Sequence, residues 1–290
     1  MSEPQVALVT GASRGAGRGV ARGLGAKGMT VYVTGRTRTP GDAKGWDGSV
    51  LPGTVEEAAA DVTAAGGSGI PIYCDHADDA QTAALFREIA DRSGRLDILF
   101  NNATYIHHQL IEKKPFWEKE LDAVRILDVG LRSAYIASWH AARMMVPQRS
   151  GLIAFGSSFG ASCYMHGPAY GAQKAGIDKF AHDMEHDLRG TGVRSVSIWM
   201  GPLVTERSLI ARDTNPEQYE GFLAVAENPE FTADILWAIA ADPAGDDLSG
   251  RVLIGAEIAP RYAIKDRGKE PPSYRDMLGA PPQPNPAAVY

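Results

Sequence analysis

The stretch VALVTGASRGAG, residues 6–17, decides the fold of this 290-residue chain. An apolar run ends at glycines spaced G-x-x-x-G-x-G, and a helical pattern follows to about residue 27. Glycines without Cβ atoms let a pyrophosphate approach the backbone, and the N-terminus of the next helix offers unpaired N–H groups to it. An ordinary tight turn between a strand and a helix has the same local pattern, so the motif needs support from the rest of the chain.

Short apolar runs alternate with amphipathic stretches beyond this turn. The alternation predicts an α/β fold, a single-domain Rossmann-type doubly wound parallel sheet with helices on both faces. The domain is predicted to cover residues 1–270, and a proline-rich tail follows at 271–290. The predicted strands are 5–9, 30–34, 70–74, 97–100, 151–156, 193–199 and 251–254, and the predicted helices are 15–27, 54–66, 79–93, about 117–146, 169–190, about 216–225 and 230–241.

The second predicted strand ends at Gly35-Arg36, where an NAD-binding site places an acidic residue on the ribose hydroxyls. An arginine suits a 2′-phosphate instead, and Arg14 in the glycine turn can approach the same phosphate. The residues therefore favour NADP(H) as the cofactor. Two solvated surface arginines are the alternative interpretation.

Tyr170 and Lys174 in PAYGAQKAG lie four residues apart and so share one helix face. A tyrosine holds its proton near neutrality, so an ammonium that lowers the pKa of the phenol would let it exchange a proton with an alkoxide. Ser157 and Ser158 end another apolar run, and one hydroxyl can orient a carbonyl. Each signal is weak alone, because Y-x-x-x-K is common on helix surfaces and serines after a strand are usually turn formers.

Together these residues resemble the classical short-chain dehydrogenase/reductase family from Val6 to about Val204. The matching motifs are T-G-x-x-x-G-x-G at 10–17, an adenine-contacting aspartate at 75, N-N-A at 101–103 and Y-x-x-x-K at 170–174. The resemblance implies an NADP(H)-dependent oxidoreductase that interconverts a carbonyl and an alcohol, assembled as a homodimer or homotetramer. It implies Ser158, Tyr170 and Lys174 as catalytic residues, and Gly11, Ser13, Arg14, Gly15, Gly17, Arg36, Asp75, Asn102, Tyr170, Lys174 and Thr205 as cofactor contacts.

Two positions depart from the family pattern. Most members carry an asparagine that helps hold a water linking the lysine to solvent, and Gly130 stands there in this chain, with Asp128 and Ser133 as nearby candidates for the relay. Met200-Gly201-Pro202 replaces the usual Pro-Gly before the cofactor-contacting threonine, Thr205. The competing interpretation is therefore an NADP(H)-binding redox sensor or scaffold with little turnover.

One human branch of the family shares the glycine at position 130 and the patterns P-F-W-E at 115–118 and V-G-L-R at 129–132. In that branch the second serine of the pair aligns with the catalytic one, which favours Ser158 over Ser157. The loss of the asparagine then indicates another route for the proton rather than an inactive protein.

Composition excludes several other classes. Thirty-five acidic residues against 29 basic ones give a net charge of −6 with no dense basic patch, which argues against a nucleic-acid partner. Two cysteines, Cys74 and Cys163, indicate a reducing compartment, and we predict a cytoplasmic protein. No apolar run approaches the ~20 residues that cross a bilayer, so no membrane partner is expected. The pair His107-His108 lacks nearby ligand residues in sequence, so we predict surface histidines and no metal site.

Substrate loops are predicted at about 104–120 and 203–230, because ligands bind beyond the carboxyl ends of parallel strands. The side chains expected there are mostly apolar or aromatic, which favours a small hydrophobic carbonyl or alcohol as substrate. Filling of the core or of a subunit contact is an equally good interpretation. The candidates include Tyr105, Ile106, His107, Phe159, Tyr164 and Met165.

Overall fold

The computed structural model describes residues 5–45, 48–214, 216–285 and 287–289. Residue 215 of the predicted loop and residues 286 and 290 of the predicted tail lie outside the described residues. The strands are β1 (Val6–Val9), β2 (Thr30–Gly35), β3 (Ser68–Tyr73), β4 (Ile98–Asn101), β5 (Gly151–Ser157), β6 (Val193–Trp199) and β7 (Val252–Ile254). Within the described part of the chain they form one parallel seven-stranded sheet in the order β3-β2-β1-β4-β5-β6-β7, as predicted.

Helices connect these strands and cover the sheet. They are α1 (Gly15–Gly25), α2 (Val55–Ala64), α3 (Asp79–Ser93), α4 (Ser133–Gln148), α5 (Pro168–Leu188), α6 (Glu206–Thr214), α7 (Pro216–Ala224), α8 (Pro229–Ala241), α9 (Gly255–Ile258) and α10 (Arg275–Leu278).

Both faces of the sheet are covered, as a parallel sheet requires. Side chains of β1 alternate between two cores: Ala7 and Val9 pack with α1, α2 and α8, whereas Val6 and Leu8 pack with α3, α4 and α5. The strand order reverses between β2 and β4 on either side of β1. A ligand crevice is expected where the order reverses, beyond the carboxyl ends of β1 and β4.

The prediction of one helix over about 117–146 is wrong in its first half. The segment contains 3₁₀ turns at Phe116–Glu118 and Leu121–Ile126 and a π turn at Asp128–Arg132, and α4 begins at Ser133. Gly130 has φ 143°, which interrupts any helix. Its N–H donates to Ser133 Oγ at 3.0 Å, so the serine caps the break from which α4 starts.

The C-terminal region also differs from the expectation. Helix α6 is not predicted by the sequence pattern, whereas α7 matches the predicted helix at about 216–225. Part of the proline-rich tail, predicted at 271–290, packs on its own chain, where Tyr274 and Leu278 contact the cluster of Phe159, Trp199 and Ile254. In the described residues, no helix has both the length and the apolar character needed to span a membrane.

Candidate active site

The conformation of the glycine turn is fixed by hydrogen bonds with the residues that follow β4. Thr10 Oγ1 accepts hydrogen bonds from the backbone N–H groups of Asn102 (2.9 Å) and Ala103 (3.0 Å). The Asn102 amide donates to the carbonyl oxygens of Thr10 and Gly11, each at 3.0 Å. Gly11 and Gly15 have φ of 63° and 59°, a region that favours glycine. The structure thus places the Asn102 side chain on the turn itself, where it fixes the backbone that would face a cofactor.

The turn presents a position for an anion. The N–H of Gly15, the first residue of α1, donates to Glu206 Oε2 at 2.8 Å. A Cβ at Gly15 would lie 3.9 Å from Thr205 Cγ2 and 4.0 Å from Glu206 Oε2, so the approach to the backbone is open. A negatively charged oxygen is what a helix N-terminus attracts, and a phosphate oxygen has the same requirement. The site therefore fits a pyrophosphate, and Thr205 lies beside it.

Arg14 and Arg36 come together at the ends of α1 and β2. Arg14 donates to Thr37 Oγ1 at 2.9 Å and to Gly53 O at 2.7 Å. Burial is the largest influence on the pKa of Arg14 and lowers it; Arg18 and Arg36 act in the same direction and Glu206 opposes them. Arg36 is half-exposed, with Nη1 3.8 Å from Asp75 Oδ2. The guanidinium groups are thus close enough to repel each other, and an anion between them would relieve that repulsion.

Two other predicted cofactor contacts lie near this end of the crevice. Ser13 is buried, and a Cβ built on Gly35 would meet its Oγ at 3.3 Å. A Cβ on Gly17 would lie 2.5 Å from Asn102 Nδ2 and 2.7 Å from Gly11 O, so this position requires glycine. The two glycines thus have different roles. Gly15 leaves room for a ligand, whereas Gly17 avoids a clash of a side chain with Gly11 and Asn102.

Ser158, Tyr170 and Lys174 converge beyond the end of β5. Ser158 Oγ lies 2.9 Å from Tyr170 Oη, and Lys174 Nζ lies 5.5 Å from the centroid of the Tyr170 ring. Lys174 is buried, and its Nζ donates to Gly156 O at 3.0 Å. Ser157 is fully buried and donates to Lys174 O at 3.5 Å. The structure therefore brings Ser158, and not Ser157, to the phenol.

The electrostatics of Tyr170 differ from the sequence-based expectation. Burial raises the pKa of Tyr170 above its ordinary value, and the hydrogen bond with Ser158 opposes this shift. The net shift is therefore upward, opposite in direction to the lowering expected from Lys174. Burial also lowers the pKa of Lys174, to about 8, against the influence of Asp178. Desolvation acts on both groups and favours their neutral forms.

Gln173 fills the space beside Gly130. Its Nε2 donates to Gly130 O at 3.0 Å, and a Cβ on Gly130 would lie 3.2 Å from Gln173 Cγ and 3.1 Å from Thr104 Oγ1. Asp128 and Ser133 were the two relay candidates near Gly130. The Ser133 hydroxyl oxygen already accepts a hydrogen bond from the Gly130 N–H. Sequence reasoning missed Gln173, although its place directly before Lys174 was a usable signal.

The predicted substrate-side residues do not form one group. Phe159 is buried and packs against Trp199 with ring centroids 5.0 Å apart, so it belongs to a core cluster. Tyr164 is 81% exposed. His166, which the sequence did not single out, packs edge-on against Tyr170 at 5.0 Å. Lys119 reaches from the loop before α4 and donates to His166 O at 3.4 Å, so the two loops meet above the phenol.

His107 is buried, so the prediction of a surface histidine is wrong there. Its Nε2 lies 3.4 Å from Glu120 Oε2, and His108 Nε2 lies 3.4 Å from Glu120 Oε1. These ligand-type atoms are as close as those of a metal site, within 4.8 Å of one another. However, the Gln109 N–H donates to His107 Nδ1 at 3.2 Å, which leaves the proton of the neutral ring on Nε2. That nitrogen then faces Glu120 as a donor and has no lone pair for a metal.

Comparison with known proteins agrees with this geometry. A family model described as short chain dehydrogenase matches residues 5–215. The chain belongs to the short-chain dehydrogenase family. Dehydrogenase/reductase SDR family member 1 of Mus musculus is 38% identical to it over 274 residues, covering 90% of this chain and 83% of the mouse protein, and the protein of the same name from Homo sapiens is 37% identical. The resemblance to one human branch is therefore confirmed.

Solved structures of short-chain dehydrogenases share the fold. A short chain dehydrogenase homologue from Mycobacterium thermoresistibile superposes with a TM-score of 0.75, covering 96% of this chain and 97% of that one at 22% identity. A protein described as a putative NAD(P)-dependent gluconate 5-dehydrogenase from Beutenbergia cavernae, with bound NADP at low occupancy, has a TM-score of 0.70 at 27% identity and covers 87% of this chain and 94% of its own. Membership of this short-chain dehydrogenase family makes the protein an oxidoreductase that uses a nicotinamide cofactor and a small-molecule substrate.

Proposed function

We propose that the protein is an NADP(H)-dependent oxidoreductase that interconverts a carbonyl and an alcohol on a small hydrophobic substrate, with Tyr170 as the acid and base. The observation that carries this proposal is the 2.9 Å contact between Ser158 Oγ and Tyr170 Oη, one helical turn from the buried Lys174. A protein that only bound the nucleotide would not need a phenol, a hydroxyl and an ammonium directed at one point.

The residues divide the work of one proton transfer. Bound NADPH supplies the hydride to the carbonyl carbon. Tyr170 donates its proton to the developing alkoxide, and the Ser158 hydroxyl donates a hydrogen bond to the same oxygen. Lys174 stabilises the phenolate that Tyr170 becomes. In alcohol oxidation the phenolate takes the proton back, and the raised pKa of Tyr170 favours its acid form at neutral pH.

The preference for NADP(H) rests on Arg14 and Arg36. Arg14 donates to Thr37 just beyond β2, and Arg36 directly follows β2, where an acid would select a free ribose 2′-hydroxyl. The Gly15 N–H and the open approach above it would hold the pyrophosphate. The remaining proposed contacts are Gly11, Ser13, Gly17, Asp75, Asn102, Tyr170, Lys174 and Thr205.

The reaction is tested with a panel of ketones, aldehydes and quinones, with NADPH oxidation followed by absorbance. Tyr170→Phe is expected to lower kcat by about 10³-fold or more while NADPH still binds, because a general acid contributes about 10²–10⁴-fold. Ser158→Ala is expected to lower it by about 10²-fold. Ser157→Ala is the matched control and keeps near wild-type turnover. Retained activity in Tyr170→Phe would make the assignment wrong.

The nucleotide preference is tested by calorimetry with NADPH and NADH. Arg36→Asp is expected to weaken NADPH binding by at least tenfold, since charge-assisted hydrogen bonds to a phosphate contribute roughly 1.5–3 kcal/mol. Arg38→Asp is the matched control, because Arg38 stacks over the Tyr73 ring at 4.2 Å instead of facing Arg14. Equal binding of both nucleotides by the wild-type protein would contradict the argument from Arg36.

The alternative, an NADP(H)-binding redox sensor or scaffold, draws on Gly130 and Met200, which depart from the family pattern. Failure of every carbonyl substrate combined with tight NADPH binding would favour it. We also propose a cytoplasmic homodimer or homotetramer that pairs through α4 and α5, with Tyr135 and Trp139 half-exposed on α4 as contact residues. Sedimentation of the purified protein tests this assembly.

A further inference from the structure

Lys174 is a buried cation with a buried acid one helical turn away. Lys174 is 8% exposed and Asp178 is 2% exposed, and both lie on α5. Residues four apart share one face of a helix. A charge removed from water is costly unless an opposite charge or hydrogen bonds compensate it, so each group needs a compensating partner inside the protein.

The Asp178 carboxylate is fixed by two donors on β6. The Ser197 hydroxyl donates to Oδ1 at 2.6 Å, and the Trp199 indole N–H donates to Oδ2 at 2.7 Å. Trp199 in turn packs edge-on against Phe159, the residue that follows Ser158. The carboxylate therefore has a set orientation relative to the helix that carries Tyr170 and to the strand end that carries Ser158. The proposed reaction steps do not themselves involve the Asp178 carboxylate.

Asp178 is the nearby charge that favours the ammonium form of Lys174. Burial lowers the pKa of Lys174 to about 8, and Asp178 opposes that shift. Burial raises the pKa of Asp178 to about 6, and its hydrogen bonds and Lys174 oppose that shift. Both groups are thus charged between about pH 6 and pH 8.

The other titratable groups facing this pair are Tyr170 on the same helix, Cys163 and His166 from the loop before α5, and Lys119 from the loop before α4. Burial, Lys119 and Lys174 lower the pKa of His166, so His166 is neutral near pH 7 and adds no charge. Lys119 is itself a cation. In the described part of the chain, the counter-charge of Lys174 therefore comes from Asp178.

We propose that Asp178 is a positioning residue for the proton transfer, the counter-charge that keeps Lys174 protonated while Tyr170 gives up and regains its proton. The inference rests on the proposed function. In reduction the hydride goes to the carbonyl carbon and the Tyr170 proton goes to the oxygen, which leaves a phenolate that later takes a proton from water. The ammonium pairs with that phenolate. Without Asp178 a larger fraction of the amine is neutral at pH 7, and the phenolate loses part of its counter-charge.

The test is Asp178→Asn, which keeps the shape of the side chain. The amide oxygen can accept from Trp199 and the amide NH₂ can donate to the Ser197 hydroxyl, so the packing is retained while the charge is lost. The alkaline limb of kcat/KM for carbonyl reduction is expected to move to lower pH by about one pH unit. Ser197→Ala, which loses a hydrogen bond but keeps the charge, is expected to leave the limb in place, and Asp178→Glu should restore it in part.

A second readout needs no substrate. In protein labelled with ¹³C at lysine Cε, the Lys174 resonance is assigned by its loss in Lys174→Met and titrated by NMR. Asp178→Asn is expected to lower the pKa of Lys174, and an unchanged titration would overturn the proposal. Should that variant fail to fold, the wild-type resonance still decides, because it should show a second step near pH 6 as Asp178 titrates. The absence of that step would contradict the coupling.

These outcomes separate the two proposals. If the wild-type protein turns over no carbonyl, the proposed function fails while the lysine titration remains informative. If the wild-type protein is active and Asp178→Asn follows the wild-type pH profile, the role of Asp178 fails alone. A loss of activity with the same pH profile and the same lysine titration would assign Asp178 a purely structural role and overturn the proposal.

Discussion

The two sides of the crevice are built differently. The nucleotide half, defined as residues 10–17 with the ends of β2 and β3, is held by hydrogen bonds from backbone N–H groups to the Thr10 hydroxyl and by the crowded position of Gly17. The half proposed to face the substrate, called the substrate half and defined as segments 104–132, 200–214, 216–227 and 273–279, consists of helices and helical turns joined by side chains from distant parts of the chain. The comparison teaches that a short motif marks the first half, although Asn102 braces it from far along the chain. The second half has no such motif, and only its long-range contacts define it.

The largest effect is expected from Gly17→Ala in the nucleotide half. Alanine normally favours a helix over glycine by about 1 kcal/mol. Here its Cβ would lie 2.5 Å from Asn102 Nδ2 and 2.9 Å from Ala12 Cα, so we expect a loss of about 3 kcal/mol in the free energy of unfolding and the loss of NADPH binding. Urea denaturation and calorimetry measure both.

Gly28→Ala is the control for this change. Gly28 has φ 78° and no atom within 4 Å of a built Cβ, so the expected loss is about 1 kcal/mol from backbone strain alone. If Gly17→Ala cost no more than Gly28→Ala, the glycine turn would not be the tightly packed element described here.

The next effect concerns Glu227, which holds the substrate half together. Its Oε2 accepts from the Gly201 N–H at 3.0 Å, and its backbone N–H donates to Pro202 O. Burial raises the pKa of Glu227 from 4.5 to about 7. A raised folded-state pKa means that the stabilising contribution is complete below pH 4.5 and is lost as the pH rises through 7. Glu227→Gln should therefore be more stable than the wild-type protein at pH 8, by about 2 kcal/mol, but not at pH 4.

Thermal unfolding across this pH range measures the difference. Glu257→Gln should behave in the opposite way, because its hydrogen bonds with Arg275 and Ser273 lower the pKa of Glu257 and its stabilisation is present above pH 4.5. The same pH dependence in both variants would mean that burial of Glu227 does not govern the substrate half.

The smallest effect is expected at the contact between the halves, the hydrogen bond from the Gly15 N–H to Glu206 Oε2. A carboxylate at a helix N-terminus contributes about 0.3–1 kcal/mol, and on the proposed function it occupies a position that a phosphate needs. Glu206→Gln should therefore tighten NADPH binding by about two- to fivefold in calorimetry. Glu217→Gln, which removes an exposed charge from α7, is the control and should leave the affinity unchanged. Weaker binding by Glu206→Gln would show that this carboxylate supports the cofactor site.

Local patterns in the sequence predict the elements that apolar runs, glycine spacing and amphipathic periodicity mark. The seven strands, the glycine turn and the helix that carries Tyr170 and Lys174 all have a short-range signature, and the structure contains each of them. The break at Gly130 could not be placed by periodicity, because apolar spacing continues across residues 117–146 while the backbone leaves the helix. The glycine at position 130, inside an apparent helix, was the one sequence signal that indicated this break.

Residues that act through distant partners were missed for the same physical reason. Asp178 lies 19 and 21 positions from its two donors on β6, and Glu206 lies 191 positions from Gly15. The partners of a lone acid on an amphipathic helix depend on which strand the helix covers, and only the assembled sheet determines that. Burial of His107 depends in the same way on Glu120 and its loop.

The packing of the C-terminal segment implies an order in which parts of the molecule fold during translation. Tyr274 and Leu278 close the cluster that contains Phe159 and Trp199. Chains fold as they leave the ribosome, N-terminal parts first. The glycine turn and its strands can therefore form while residues 273–279 are still being translated, and the wall behind Ser158 is completed only when translation has passed residue 278. A newly made chain thus forms its glycine turn before the wall behind the Ser158 hydroxyl is complete.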